Sequence, residues 1–127
     1  MEAVEALRAQ GFAGSICTNK PEGLAELLLT ALGGRQAFRA LVGADTFPVR
    51  KPDPVPYRAA VERAGGLVSR SMLVGDTETD AKTGAAAGVP VALVTFGPEG
   101  AGVGRFDPTA LLDRFEDLPD LAGRLLA

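Results

Sequence analysis

Three short segments carry residue types able to handle phosphate. The first is Gly75-Asp76-Thr77-Glu78-Thr79-Asp80. An apolar run from Met72 leads into it, a glycine breaks the run, and two carboxylates follow four residues apart. If the run is a strand and a helix follows, Asp76 sits at the strand tip and Asp80 in the first helical turn. Two poorly solvated carboxylates at one edge repel each other unless a cation lies beside them. Mg²⁺ suits that position, because it takes oxygen ligands, keeps waters and shares its shell with phosphate oxygens. The competing reading is that both aspartates only favour a helix start through the macrodipole. The second segment is Thr18-Asn19-Lys20, where a hydroxyl, an amide and the N–H groups of a helix entrance can cradle phosphate. Ordinary helix capping is the alternative, and Lys20 reads as a solvated charge. The third is Lys51, in a proline-stiffened loop that limits where its ammonium points. Held near phosphate it would neutralise charge as a point cation. The alternative is a surface lysine, which is how Arg50 reads.

The elements around these segments alternate between helix and strand. "EAVEALRAQG" reads as a short helix with a glycine stop, and Phe12 to Thr18 as a buried strand. Pro21 opens an amphipathic helix that ends at Gly33 and Gly34. Ala40 to Asp45 reads as a second strand, and "TFPVRKPDP" as a loop. Asp53 caps a helix running to about Ala64. "SMLVGD" is the third strand, Thr79 to Ala87 a helix of small residues, and "PVALVTFG" the fourth strand. Gly97 to Gly104 reads as a flexible surface loop that lacks the Lys-Ser/Thr of a P-loop. Ala110 to Leu112 reads as an edge strand, and Leu118 to Leu125 as the last helix. Cys17, Tyr57 and the six phenylalanines are expected to pack the core or its edges, without chemistry.

The strands are continuous apolar runs, as expected for a parallel sheet covered on both faces. In such folds ligands bind beyond the C-terminal ends of the strands. Thr18, Asn19, Lys51, Asp76 and Asp80 all follow strands, so they should gather on one edge. The 127 residues fit one domain. With 13 basic against 16 acidic residues and no basic run, neither nucleic acid nor an anionic membrane is an expected partner. No apolar stretch reaches membrane-spanning length. The lone Cys17 precludes an internal disulfide and suits a reducing, cytoplasmic setting. With no histidine in the chain, any metal must be hard and held by oxygen.

Taken in order, "SICTNKPEGL", "DTFPVRKPDPVPY" and "MLVGDTETDAKTGAAAGVPVALVTFG" resemble the C-terminal part of a haloacid dehalogenase superfamily phosphatase. The phosphoglycolate phosphatase-like subgroup is the best match, and the resemblance covers essentially the whole chain. It implies a Rossmann-like three-layer α/β/α core over residues 1–127 and Mg²⁺-dependent hydrolysis of a small phosphorylated metabolite. On this resemblance Thr18 and Asn19 bind the transferring phosphoryl group and Lys51 steadies the phosphate and the nucleophile. Asp76 is a direct or water-bridged metal ligand, and Asp80 orients the metal's shell or Lys51.

One departure matters. The family's first motif, an apolar strand ending in Asp-x-Asp-Gly that supplies the nucleophile, is not found in these residues. Neither is the cap domain that usually follows it. The expectation is therefore a partial core lacking its central strand, inactive by itself. It would form a homodimer, swap strands, close the gap by pairing the two flanking strands directly, or need a missing N-terminal piece. A non-catalytic module binding a phospholigand or a protein, and one half of a split phosphatase, are the alternatives.

Overall fold

A computed structural model describes residues 2–126. Its helices are α1 (Glu2–Ala9), α2 (Glu22–Ala31), α3 (Pro54–Arg63), α4 (Glu78–Ala87) and α5 (Leu118–Leu126). Between them run the strands β1 (Ser15–Cys17), β2 (Ala40–Val42), β3 (Leu73–Gly75), β4 (Val91–Val94) and β5 (Ala110–Leu112). Every strand pair is parallel. The pairs fall into two sheets, β1-β2 and β3-β4-β5.

Side-chain alternation along β4 builds the layers. Val91 and Leu93 point into a cluster with Tyr57 of α3, Leu73 and Val103, flanked by Ala81 and Ala87 of α4. Ala92 and Val94 point the other way, onto Leu112 and onto Leu118 and Leu121 of α5, with Leu7 of α1 beside them. A strand with apolar residues on both faces needs helices on both faces. The result is the expected α/β/α arrangement. Ser71 accepts or donates a 2.7 Å hydrogen bond with the buried Tyr57 hydroxyl, so the polar end of that core ring is satisfied.

Several expectations need adjustment. The first strand is three residues long, not seven, because β2 offers only Ala40 to Val42 as partners. After Val42 the chain turns, with the Gly43 N–H donating to the Thr46 hydroxyl at 2.8 Å. The glycine-rich segment is not a free loop. Gly100–Phe106 is a 3-10 helix, pinned by the fully buried Val103 and by Arg105, which donates to the Glu99 carboxylate. Phe96 and Phe115 lie outside the core, where their half-exposed rings meet edge to face at 4.8 Å. In α2 only Ala25 is buried, while Leu27 is 67% exposed and Leu32, at the C-cap, 82% exposed. The apolar stripe read from the sequence exists, but this fold leaves much of it in solvent.

Because β1 and β3 belong to different sheets, each keeps an open edge. Successive N–H groups of a strand point to opposite sides, so only alternate ones meet the partner. The Thr18 N–H reaches the Val42 carbonyl and the Leu73 N–H the Pro90 carbonyl, each at 3.0 Å. The Cys17 and Val74 N–H groups therefore face the open sides. Open apolar edges recruit other strands. In amide hydrogen exchange on dilute monomer, Cys17 and Val74 should exchange much faster than Thr18 and Leu73. Equal protection of all four in a monomer shown by light scattering would contradict the two-sheet arrangement.

Candidate functional site

Each candidate residue leaves a strand at its C-terminal end, and the folds of the loops bring them together. Asp53 accepts a 2.9 Å bond from the Val55 N–H and caps α3, with Pro54 in the first turn. This anchors the far side of the Lys51 loop, in which Lys51 precedes Pro52 through a cis peptide bond. The Lys51 ammonium lies 2.8 Å from Asp80 Oδ1. Its side chain is 11% exposed and that of Asp80 7% exposed, so the pair is largely out of water.

Asp80 is the hub. Its Oδ2 accepts from the Asp76 N–H at 3.0 Å, the Thr77 N–H at 3.3 Å and the Thr77 hydroxyl at 3.2 Å. Thr77 and Asp80 form a capping box that starts α4. Gly75 is required by this geometry. A Cβ there would overlap the Asp80 carboxylate itself. The glycine that breaks the apolar run is thus needed for the close approach of a side chain.

Burial pushes the Asp80 carboxyl up, but Lys51 and the N–H and hydroxyl donors outweigh it, and the net shift is downward. Cys17 is neighbour to the pair. Burial raises its thiol, Lys51 works against the shift and Asp80 adds to it. A raised thiol is a poor nucleophile.

The phosphate-binding candidates join the same network. The Asn19 amide donates to the Lys51 carbonyl at 3.2 Å, and Thr18 Oγ1 accepts from the Lys20 N–H at 3.2 Å. The first N–H of α2, that of Glu22, is already taken by Asp45 Oδ1 at 2.7 Å. The helix entrance is thus less open to a ligand than the sequence suggests. Asp45 was missed because it lies 23 residues from its partner. Thr77 could have been found, since Thr-x-x-Asp is a helix-start pattern. Lys20 and Arg50 are exposed, as expected.

Asp76 differs from Asp80. Among the described residues its carboxylate has no hydrogen-bonding or ion-pair partner, and its side chain lies against Gly97. Among those residues no group of three or more acidic, histidine or cysteine side chains could hold a metal. One free carboxylate still fits Mg²⁺, which needs only one or two from the protein and fills its shell with water and substrate oxygen. Asp76 suits that role, whereas both oxygens of Asp80 are engaged elsewhere. The site is an open edge. A cavity of about 500 Å³ lies apart from it, where Arg8, Phe12, Gly14 and Arg39 line the start of β1 and β2.

Comparisons with known proteins give the family and the fold. The family model for haloacid dehalogenase-like hydrolases matches residues 1–94. A phosphoglycolate phosphatase of Mesorhizobium japonicum is 41% identical over 127 residues, covering 99% of this chain and 56% of that protein. One from Cereibacter sphaeroides is 43% identical over 126 residues, covering 98% and 56%. The chain spans about half the length of the curated relatives it matches. A predicted phosphoglycolate phosphatase from Haemophilus somnus superposes with a TM-score of 0.84 at 29% identity, over 94% of this chain and 54% of that one. A Lactobacillus delbrueckii subsp. bulgaricus structure shares the fold with a TM-score of 0.87 at 22% identity, over 95% and 51%.

Two outcomes check the hub. A carboxylate whose folded pKa lies below its unfolded value of about 3.9 adds stability above that pH and loses it as pH falls through the folded value. In urea unfolding, stability should therefore drop below about pH 4, and Asp80→Asn should remove that part of the drop. Identical pH profiles would show that Asp80 is not held as described. Gly75→Ala should cost about 1–3 kcal/mol by displacing the carboxylate, and a neutral result would contradict the close approach.

Proposed function

The chain belongs to the haloacid dehalogenase-like hydrolases, and on that premise we propose that it is the phosphate- and metal-gripping part of a phosphate monoester hydrolase. The substrate class is a small phosphorylated metabolite, of the kind handled by the phosphoglycolate phosphatases it is similar to. The observation that carries this reading is the buried Lys51–Asp80 pair, reached by the Asn19 amide and bonded through Asp80 to the Asp76 N–H, while the Asp76 carboxylate has no partner among the described residues.

Phosphoryl transfer depends on placing the reacting oxygens and offsetting their negative charge. Lys51 does the second, and Asp80 fixes where its ammonium points. On this reading the Thr18 hydroxyl and the Asn19 amide orient phosphoryl oxygens at the end of β1. Asp76 would hold Mg²⁺, which when bound neutralises phosphate charge and orients its oxygens. Asp80 keeps its place as the residue that positions Lys51. The attacking carboxylate of an aspartyl-phosphate route has no counterpart among these 127 residues, since no Asp-x-Asp pair occurs in them. We therefore assign this chain binding without turnover. A partner strand carrying that carboxylate, whether from a further segment or a second molecule, would have to complete the site.

Mg²⁺ titration followed by the amide shifts of Gly75 to Asp80 should give millimolar affinity, about 4 kcal/mol, and Asp76→Asn should abolish it. Hydrolysis of p-nitrophenyl phosphate by the purified chain should not exceed that of the Lys51→Ala and Asp76→Ala variants. Binding that survives Asp76→Asn would remove the metal assignment. Mg²⁺-dependent turnover lost in both variants would show that another residue serves as nucleophile.

A further inference from the structure

The turn after β2 grips the turn after β1. The Ala44 N–H donates to the Lys20 carbonyl at 2.8 Å. Asp45 Oδ1 accepts from the Glu22 N–H at 2.7 Å. Thr46 Oγ1 accepts from the Gly43 N–H at 2.8 Å, which sets the shape of the gripping turn. The two turns touch so closely that a Cβ on Gly43 would overlap the Glu22 backbone nitrogen. Thr18 itself is fixed to the end of β2 by its N–H bond to the Val42 carbonyl at 3.0 Å. Pro21, at the N-cap, has neither an N–H nor a capping side chain. The cap of α2 is thus supplied from 23 residues away.

We propose that Asp45 is a positioning residue for the Thr18-Asn19 turn. Its carboxylate occupies the N-terminus of α2, so the helix end is filled by the protein's own anion and not by substrate. By holding Glu22 it fixes the short segment from Thr18 to Pro21, and with it the direction of the Thr18 hydroxyl and the Asn19 amide relative to Lys51. Asp45 is exposed, and among the described residues its carboxylate has one hydrogen-bond partner, the Glu22 N–H, so it acts through the turn. The inference rests on the reading of Thr18 and Asn19 as phosphate-contacting groups, and it adds a specific cause for their placement.

The test compares Asp45→Ala with Asp45→Asn in the whole chain, since the asparagine keeps an acceptor oxygen. Without ligand, Asp45→Ala should speed exchange of the Glu22 amide roughly fivefold, the size expected for a lost cap. It should also move the amide signals of Thr18 to Lys20, and Asp45→Asn should restore both. Titrated with inorganic phosphate, Asp45→Ala should bind roughly fivefold more weakly and Asp45→Asn like the parent. Urea unfolding identifies any variant that is merely unfolded. Unchanged exchange and shifts in Asp45→Ala, or an Asp45→Asn that behaves like Asp45→Ala, would overturn the inference. A parent chain indifferent to phosphate would instead overturn the phosphate reading of Thr18 and Asn19, and the ligand-free comparison would still decide whether Asp45 holds the turn.

Discussion

The Lys51–Asp80 ion pair is the constraint on which the rest of the edge depends. Lys51 follows β2 and Asp80 follows β3, so the pair links loops that leave different sheets. Two charges largely removed from water are costly unless each is matched, and removing one partner of such a pair costs about 3–5 kcal/mol. The protein matches them fully. Asp80 receives the ammonium on one oxygen and three donors from Asp76 and Thr77 on the other. That demand explains the local sequence. Gly75 leaves room for the carboxylate, Thr77 supplies two donors, and Asp80 must fall at the third position of α4.

The pair does not join the sheets unaided. Helix α3 packs against both. Ser15 of β1 donates to the Ala60 carbonyl of α3 at 2.8 Å, while Tyr57 of the same helix sits in the cluster with Leu73 and Leu93. Cys17 of β1 packs on that cluster too. Backbone pairing between β1 and β3 is therefore replaced by side-chain packing beneath and an ion pair above. This lets the strand ends converge on one edge while two strand edges stay open, and it makes the edge geometry sensitive to the loops that carry the charges.

Much of this edge was legible in the sequence because its signals are local. The apolar run into Gly75 and the Asp76 and Asp80 spacing, the prolines around Lys51 and the Asp53 cap each announce their geometry within a few residues. The burial of the Lys51–Asp80 pair was not legible, since it depends on a contact between residues 29 apart, and different roles for the two aspartates came from the family resemblance and not from their spacing. Asp45 shows the same limit, as a long-range cap leaves no pattern near the helix it serves. Glycine content misled at Gly100–Phe106, where one valine reaching the core outweighs the flexibility of its neighbours. The leucines of α2 have the right period for burial, but periodicity does not say whether anything lies opposite them.

The central claim is that Lys51 and Asp80 act as one buried, directly bonded unit. A double-mutant cycle with Lys51→Met and Asp80→Asn, read by urea unfolding at neutral pH, measures that directly. The structure predicts a coupling energy of at least about 2 kcal/mol, within the range for residues in contact. Additivity within about 0.5 kcal/mol, as for independent sites, would show that the two side chains do not form this unit and would contradict the account.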